Sequence, residues 1–132
     1  MRKFIEIIFL VTLNFSLLFS FSAKASEKIK IGLLVPLSGS NNELGQSIIK
    51  AVRLAIKDIN NNSIEIIPRD TASKANKALK SAFELKQMGV KVVIGPIFYE
   101  SITYLDEMKD ITFLSLTNKT LDLPKNVISA GI

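Results

Sequence analysis

Ile31, Leu33, Leu34 and Val35 form a nearly unbroken apolar run closed by Pro36, the pattern of a strand covered by helices on both faces. The turn formers of 36–42 follow and deliver a capping residue ahead of a helical pattern over about 43–60. On that helix Ile48, Val52, Ala55, Ile56 and Ile59 share a stripe from which Lys50, Arg53 and Lys57 are absent, so the stripe is predicted to pack on a sheet. Residues 60–63 break the helix, and 64–67 make a second short strand opening into Pro68-Arg69-Asp70-Thr71. A second amphipathic helix is predicted over 73–88, with Ala75, Ala78, Leu79, Ala82 and Leu85 on one face and Gly89 just past its end, where glycine adopts a left-handed conformation at least cost. A third strand over 90–94 stops at Gly95-Pro96, and the loop to Ser101 leads into a short helix near 102–108. A fourth strand over 111–116, a polar loop over 117–126 and the start of a fifth strand over 127–132 complete the chain.

Strands alternating with helices of this length predict an α/β fold, a doubly wound, mainly parallel sheet with right-handed crossovers. In the common order 2-1-3-4-5 the chain reverses between strands one and three, and ligands of such sheets bind beyond the carboxyl ends of the strands near that reversal. Four loops leave those ends, 36–42, 70–73, 95–101 and 117–120, and in that order Ser38, Gly39 and the 96–101 loop face one crevice.

Ahead of this domain, Met1-Arg2-Lys3 precedes a long apolar run over 4–21, and Ala23-Lys24-Ala25 supplies a small-x-small cleavage pattern. A signal peptide over 1–25 is expected, with a mature domain over 26–132; the run approaches the length of a membrane anchor, but Glu6, Asn14 and several serines weaken that alternative. The expected location is the periplasm, with no stable anchor after cleavage. Losing Arg2, Lys3, Lys24 and Glu6 takes the formal charge from +5 to +3, and the scattered lysines lack the clustered stripe of a nucleic-acid binder. The chain has no cysteine and no histidine, which removes thiolate catalysis, a disulfide framework, a lipid-acceptor cysteine and the commonest general base. These absences argue against an enzyme, and no cofactor or metal is expected.

Candidate chemistry gathers in the loops. Ser101 stands at the start of the predicted short helix, whose first free amides favour an anion; its hydroxyl either joins the ligand or caps the helix. Thr117, Asn118 and Lys119 offer hydroxyl, amide and ammonium groups directly after a buried strand, suited to a polar ligand and equally to a surface loop. Phe98 and Tyr99 wall a pocket or pack into the core. Asp106, Glu107 and Asp110 form an acidic cluster that reads better as a solvated face than as a metal site. Neither a phosphate-cradling glycine motif nor a nucleophile elbow is present.

The run Ile31-Gly32-Leu33-Leu34-Val35-Pro36-Leu37-Ser38-Gly39, the Leu44-Gly45-Gln46 that opens a helix ending Lys57-Asp58-Ile59-Asn60, and then Asp70-Thr71, Gly89-Val90, Ile94-Gly95-Pro96, Ser115 and Thr117-Asn118 resemble, in order, the type I periplasmic binding proteins of the leucine/isoleucine/valine-binding group. Leu-Pro-Leu-Ser-Gly-like and Gly-Pro-x-Phe patterns also resemble the penicillin-binding-protein activators, which share that fold and are lipoproteins, unlike a chain without cysteine. The resemblance spans 28–132 and implies a Rossmann-like first lobe, incomplete without its second. It implies binding of a small polar solute such as an amino acid, delivered to the membrane permease of an ABC transporter, or alternatively an interaction with a cell-wall synthase. By position it carries ligand contacts onto Ser38, Tyr99, Glu100, Ser101, Thr117, Asn118 and Lys119. Tyr99 and Glu100 depart from the small, serine-rich loop of amino-acid binders. Without a closing second lobe to exclude water, weak solute binding or none is expected of this chain by itself.

Overall fold

A computed structural model describes Met1 and residues 27–131; of the signal peptide expected over 1–25, residues 2–25 lie outside the described residues. The elements run β1 (Ile29–Val35), α1 (Asn42–Ile59), β2 (Ile64–Asp70), α2 (Ala75–Gln87), β3 (Val92–Ile94), two 3-10 turns (Tyr99–Ser101 and Leu105–Glu107), β4 (Thr112–Ser115) and β5 (Val127–Ser129). All neighbouring pairs are parallel, and the sheet order is β2-β1-β3-β4-β5, as the sequence pattern predicts. β2 runs on through Pro68, paired opposite Leu33. It lies at a sheet edge, where a residue without an N–H breaks no ladder.

Alternation along β1 splits the core. Leu33 and Val35 face α1, packing with Ile49 and the half-buried Ile48, Val52, Ile66 and Ile94. Leu34 faces the other way, with Ala82 and Leu85 of α2, Val93, Phe113 and Val127. The sheet is therefore wound on both faces. Each fully buried side chain of the Leu or Phe class contributes about 1.5–3 kcal/mol through its removal from water.

Three expectations need correction. The α1 stripe is Gly45, Ile48, Ile49, Val52 and Ile56, whereas Ala55 and Ile59 are exposed. Contacts centred on Gly45 and Ile49 rotate the far edge of the predicted stripe off the sheet. Asn41 precedes α1 but makes no side-chain cap; its Nδ2 donates instead to Ser73 Oγ, 3.0 Å away in the β2–α2 turn. The predicted helix near 102–108 is two 3-10 turns joined by a bend, closed by Ile102 N–H to Tyr99 O and Leu105 N–H to Ile102 O. Gly89 does end α2 in the left-handed region (φ 79°), and the Val90 N–H reaches back to Leu85 O.

Among the described residues no helix is long and apolar enough to cross a membrane.

Candidate functional site

Parallel register brings the carboxyl ends of all five strands to one rim: Val35 lies opposite Asp70, Leu33 opposite Ile94, Ile94 opposite Leu114, and Ser115 opposite Ser129. The loops carrying the sequence-derived candidates leave from this rim in two groups, each internally bonded.

The first group joins the β1–α1 and β2–α2 loops. Asp70 accepts from the backbone N–H of Leu37 (2.7 Å), Ser38 (3.2 Å) and Ala72 (2.8 Å), from the Ser38 hydroxyl (2.6 Å), and from Lys77 of α2 in an ion pair. Partial burial alone would raise the Asp70 pKa. The donors from Lys77, Ser38, Ala72 and Leu37 outweigh it and hold the carboxyl well below the usual carboxylate range. The same turn holds Ala72 (φ 45°) and Ser73 (φ 57°) in the left-handed region, a cost offset by the bonds to Asp70 and Asn41. Ser38 therefore directs its hydroxyl toward β2.

The second group joins the loops after β3 and β4. Gly95 N–H donates to Leu114 O, and Leu116 N–H to Pro96 O. The buried Ser115 hydroxyl donates to Pro96 O at 2.9 Å and accepts from Thr117 N–H at 3.3 Å. Thr117 Oγ1 accepts from Lys119 N–H, and Ser129 Oγ donates to Thr117 O. Lys119 Nζ then sits 3.4 Å from the centroid of the Tyr99 ring, a cation–π contact between the two loops. Gly95 is the pivot: its φ of 98° suits glycine, and an added Cβ would stand 2.3 Å from Leu34 O.

Of the sequence-derived candidates, Tyr99, Ser101, Thr117 and Lys119 fall in the second group, and Ser38 belongs to the first. Ser101 and Thr117 are buried, whereas Glu100, Asn118 and Lys119 are exposed. The helix whose first amides were expected to favour an anion near Ser101 is replaced by 3-10 turns, in which the Ser101 and Ile102 amides donate to Phe98 O and Tyr99 O. Tyr99 packs against the core, as one of the two readings of it expected, and also presents its ring to Lys119. Asp70 and Ser115, which organise the two groups, are not among the expected contact residues, although Asp70 opens one of the four candidate loops. Their signal in the sequence is a polar residue at the last position of an apolar strand.

Two concavities, of about 750 Å³ and 310 Å³, lie at the opposite end of the sheet. Thr112 and Lys125 line the larger, and Ile29 and Val92 the smaller. Neither reaches the polar rim, so size alone does not mark the site. Asp110 pairs with Lys86 at 3.3 Å, and no group of three or more potential metal ligands occurs among the described residues.

Residues 28–125 match the sequence model of a family described as periplasmic binding protein. No curated protein matches at a significant level. Among solved structures, full-length LpoA from Haemophilus influenzae is 23% identical with a TM-score of 0.65, over 83% of this chain and 20% of that one. The LpoA C-domain from the same organism, described as a regulator of PBP1A, is 25% identical with a TM-score of 0.64, over 78% and 32%. A solute-binding protein of an ABC transporter from Rhodopseudomonas palustris BisB5, in complex with 3,4-dihydroxybenzoic acid, is 23% identical with a TM-score of 0.63, over 69% and 27%. The fold is thus shared with both kinds of protein and is not specific to leucine binders. The chain spans between 20% and 32% of the length of these structures.

Proposed function

The chain belongs to the periplasmic binding protein family, and we propose that it is an exported interaction module of the cell-wall machinery, used in the manner of the LpoA-type regulators. In this reading 1–25 is a cleaved export leader, 26–132 is the first and incomplete lobe, and its partner is a periplasmic cell-wall synthase. The observation that carries it is that the rim's polar groups are engaged with one another: Ser38 with Asp70, Ser115 with Pro96, Thr117 with the Lys119 amide, and the Lys119 ammonium with Tyr99. Groups paired in this way present a preorganised surface to a macromolecule. The longer overlap with LpoA, 83% of the chain against 69% for the solute-binding protein, points the same way. The test is direct binding of the exported chain to a purified penicillin-binding cell-wall synthase. Saturable binding weakened by Lys119→Glu is expected, and no binding to any synthase of the same cell would retire the reading.

A second reading is favoured by the meeting of an aromatic ring and an ammonium between two loops that also bury Ser101 and Thr117. Here the rim binds a small polar solute for the permease of an ABC-type uptake system, with Ser38, Tyr99, Glu100, Ser101, Thr117, Asn118 and Lys119 as the contact set. Thermal-shift screening checks it, since a solute at a hundred times its dissociation constant adds ~2.7 kcal/mol.

A further inference from the structure

Resting on the solute-binding reading of the rim, we infer that Lys119 and Tyr99 make it selective for a carboxylate that carries no α-ammonium, and against free amino acids. An amino acid brings two charges, and its ammonium needs an acceptor. The Tyr99 ring is the natural one, held in place by its packing against the core. Lys119 Nζ already occupies that ring at 3.4 Å from its centroid. A ligand ammonium placed there would meet a like charge, a juxtaposition that weighs heavily in discrimination between ligands.

The other groups favour an anion. The Lys119 backbone amide donates to the buried Thr117 Oγ1, which fixes the start of the side chain, and the Tyr99 ring is the contact that places its ammonium. Its ammonium carries three donors, and the ring face accepts no conventional hydrogen bond, which leaves donors for carboxylate oxygens. Glu100 is the one acidic residue of the contact set and is exposed, with the buried Ser101 next to it in the same turn.

The experiment compares 3-phenylpropionate with phenylalanine, which differ only in the α-ammonium, against the exported full chain. Binding is followed by amide chemical shifts of Thr117 and Lys119. The expected result is saturable movement of both amides with 3-phenylpropionate, and binding of phenylalanine weaker by about tenfold or more. Lys119→Met should abolish the preference while far-UV circular dichroism stays unchanged, and Lys50→Met, on the exposed face of α1, should leave it intact. Phenylalanine binding as tightly as 3-phenylpropionate overturns the inference and leaves the solute-binding reading standing, as does a preference that survives in Lys119→Met. Movement with neither compound overturns this inference, while the solute-binding reading then stands or falls on the thermal-shift screen.

Discussion

The Ser38 hydroxyl donates to Asp70 Oδ2 across 2.6 Å, a bond between the loops after β1 and β2 made at the point where Val35 and Asp70 stand opposite each other in the sheet. It is one of five donors to a single carboxylate, the others being the amides of Leu37, Ser38 and Ala72 and the ammonium of Lys77. Removing the acceptor frees three amides and an ammonium at once, whereas removing Ser38 Oγ costs one charge-assisted bond. Asp70→Ala should therefore lower unfolding free energy by about 2–4 kcal/mol, and Ser38→Ala by about 1–2 kcal/mol. Denaturant titration of both variants checks the ratio. Equal losses would mean that the carboxylate is not the hub.

Acid should act through the same group. The folded-state pKa of Asp70 is depressed relative to the unfolded chain, so the unfolded state binds its proton first as pH falls. Its contribution is fully present above the unfolded value of about 3.9 and is lost as pH drops through the folded value. The denaturation midpoint of the wild type should fall steeply below about pH 4, and that of Asp70→Asn should start lower and fall less. An unchanged acid limb in Asp70→Asn would assign the acid sensitivity to other carboxylates.

The alternation of strands and helices was legible because apolar runs and 3.6-residue stripes are properties of contiguous sequence, whereas the sheet order rests on the common arrangement of a doubly wound pattern, which is the order observed. The segment after β3 was not. Ile102, Leu105, Met108 and Ile111 recur at intervals of three, all buried, and an apolar period of three fits consecutive 3-10 turns better than an α-helix. The role of Asp70 was hidden for another reason. Its partners at 37 and 38 lie more than thirty residues away, and only the β1–β2 register brings them together. The Tyr99–Lys119 contact likewise depends on two loops that the sequence could place on one rim but could not aim.

Two glycines separate close approach from backbone conformation. A Cβ at Gly45 would stand 1.8 Å from Pro36 O, so α1 starts directly on the end of β1 and has no room for a methyl. Gly89 has φ 79° and nothing within 4 Å of an added Cβ. Gly45→Ala should cost about 3 kcal/mol or more by forcing the helix off the sheet, and Gly89→Ala only about 1 kcal/mol of left-handed strain. Thermal unfolding of the pair decides this. A milder effect at Gly45 than at Gly89 would show that the start of α1 can shift freely.

One lateral row of the sheet carries a gradient of burial that makes a last prediction. Leu33, Ile94, Leu114 and Ile128 stand opposite one another across β1, β3, β4 and β5 on the face that packs α1. Leu33 is fully buried beneath Ile49, Ile94 and Leu114 are half-buried, and Ile128 is 55% exposed. Truncation should track that cover, because the cost of deleting a methyl-bearing side chain combines lost transfer energy with the cavity left behind, and an exposed site has neither in full. Leu33→Ala should cost about 3–4 kcal/mol, Leu114→Ala about 1–2 kcal/mol, and Ile128→Ala less than about 1 kcal/mol. Denaturant midpoints measured on the chain alone test the order. A large loss at Ile128, comparable to that at Leu33, would mean that β5 is covered in solution by something packed on this face.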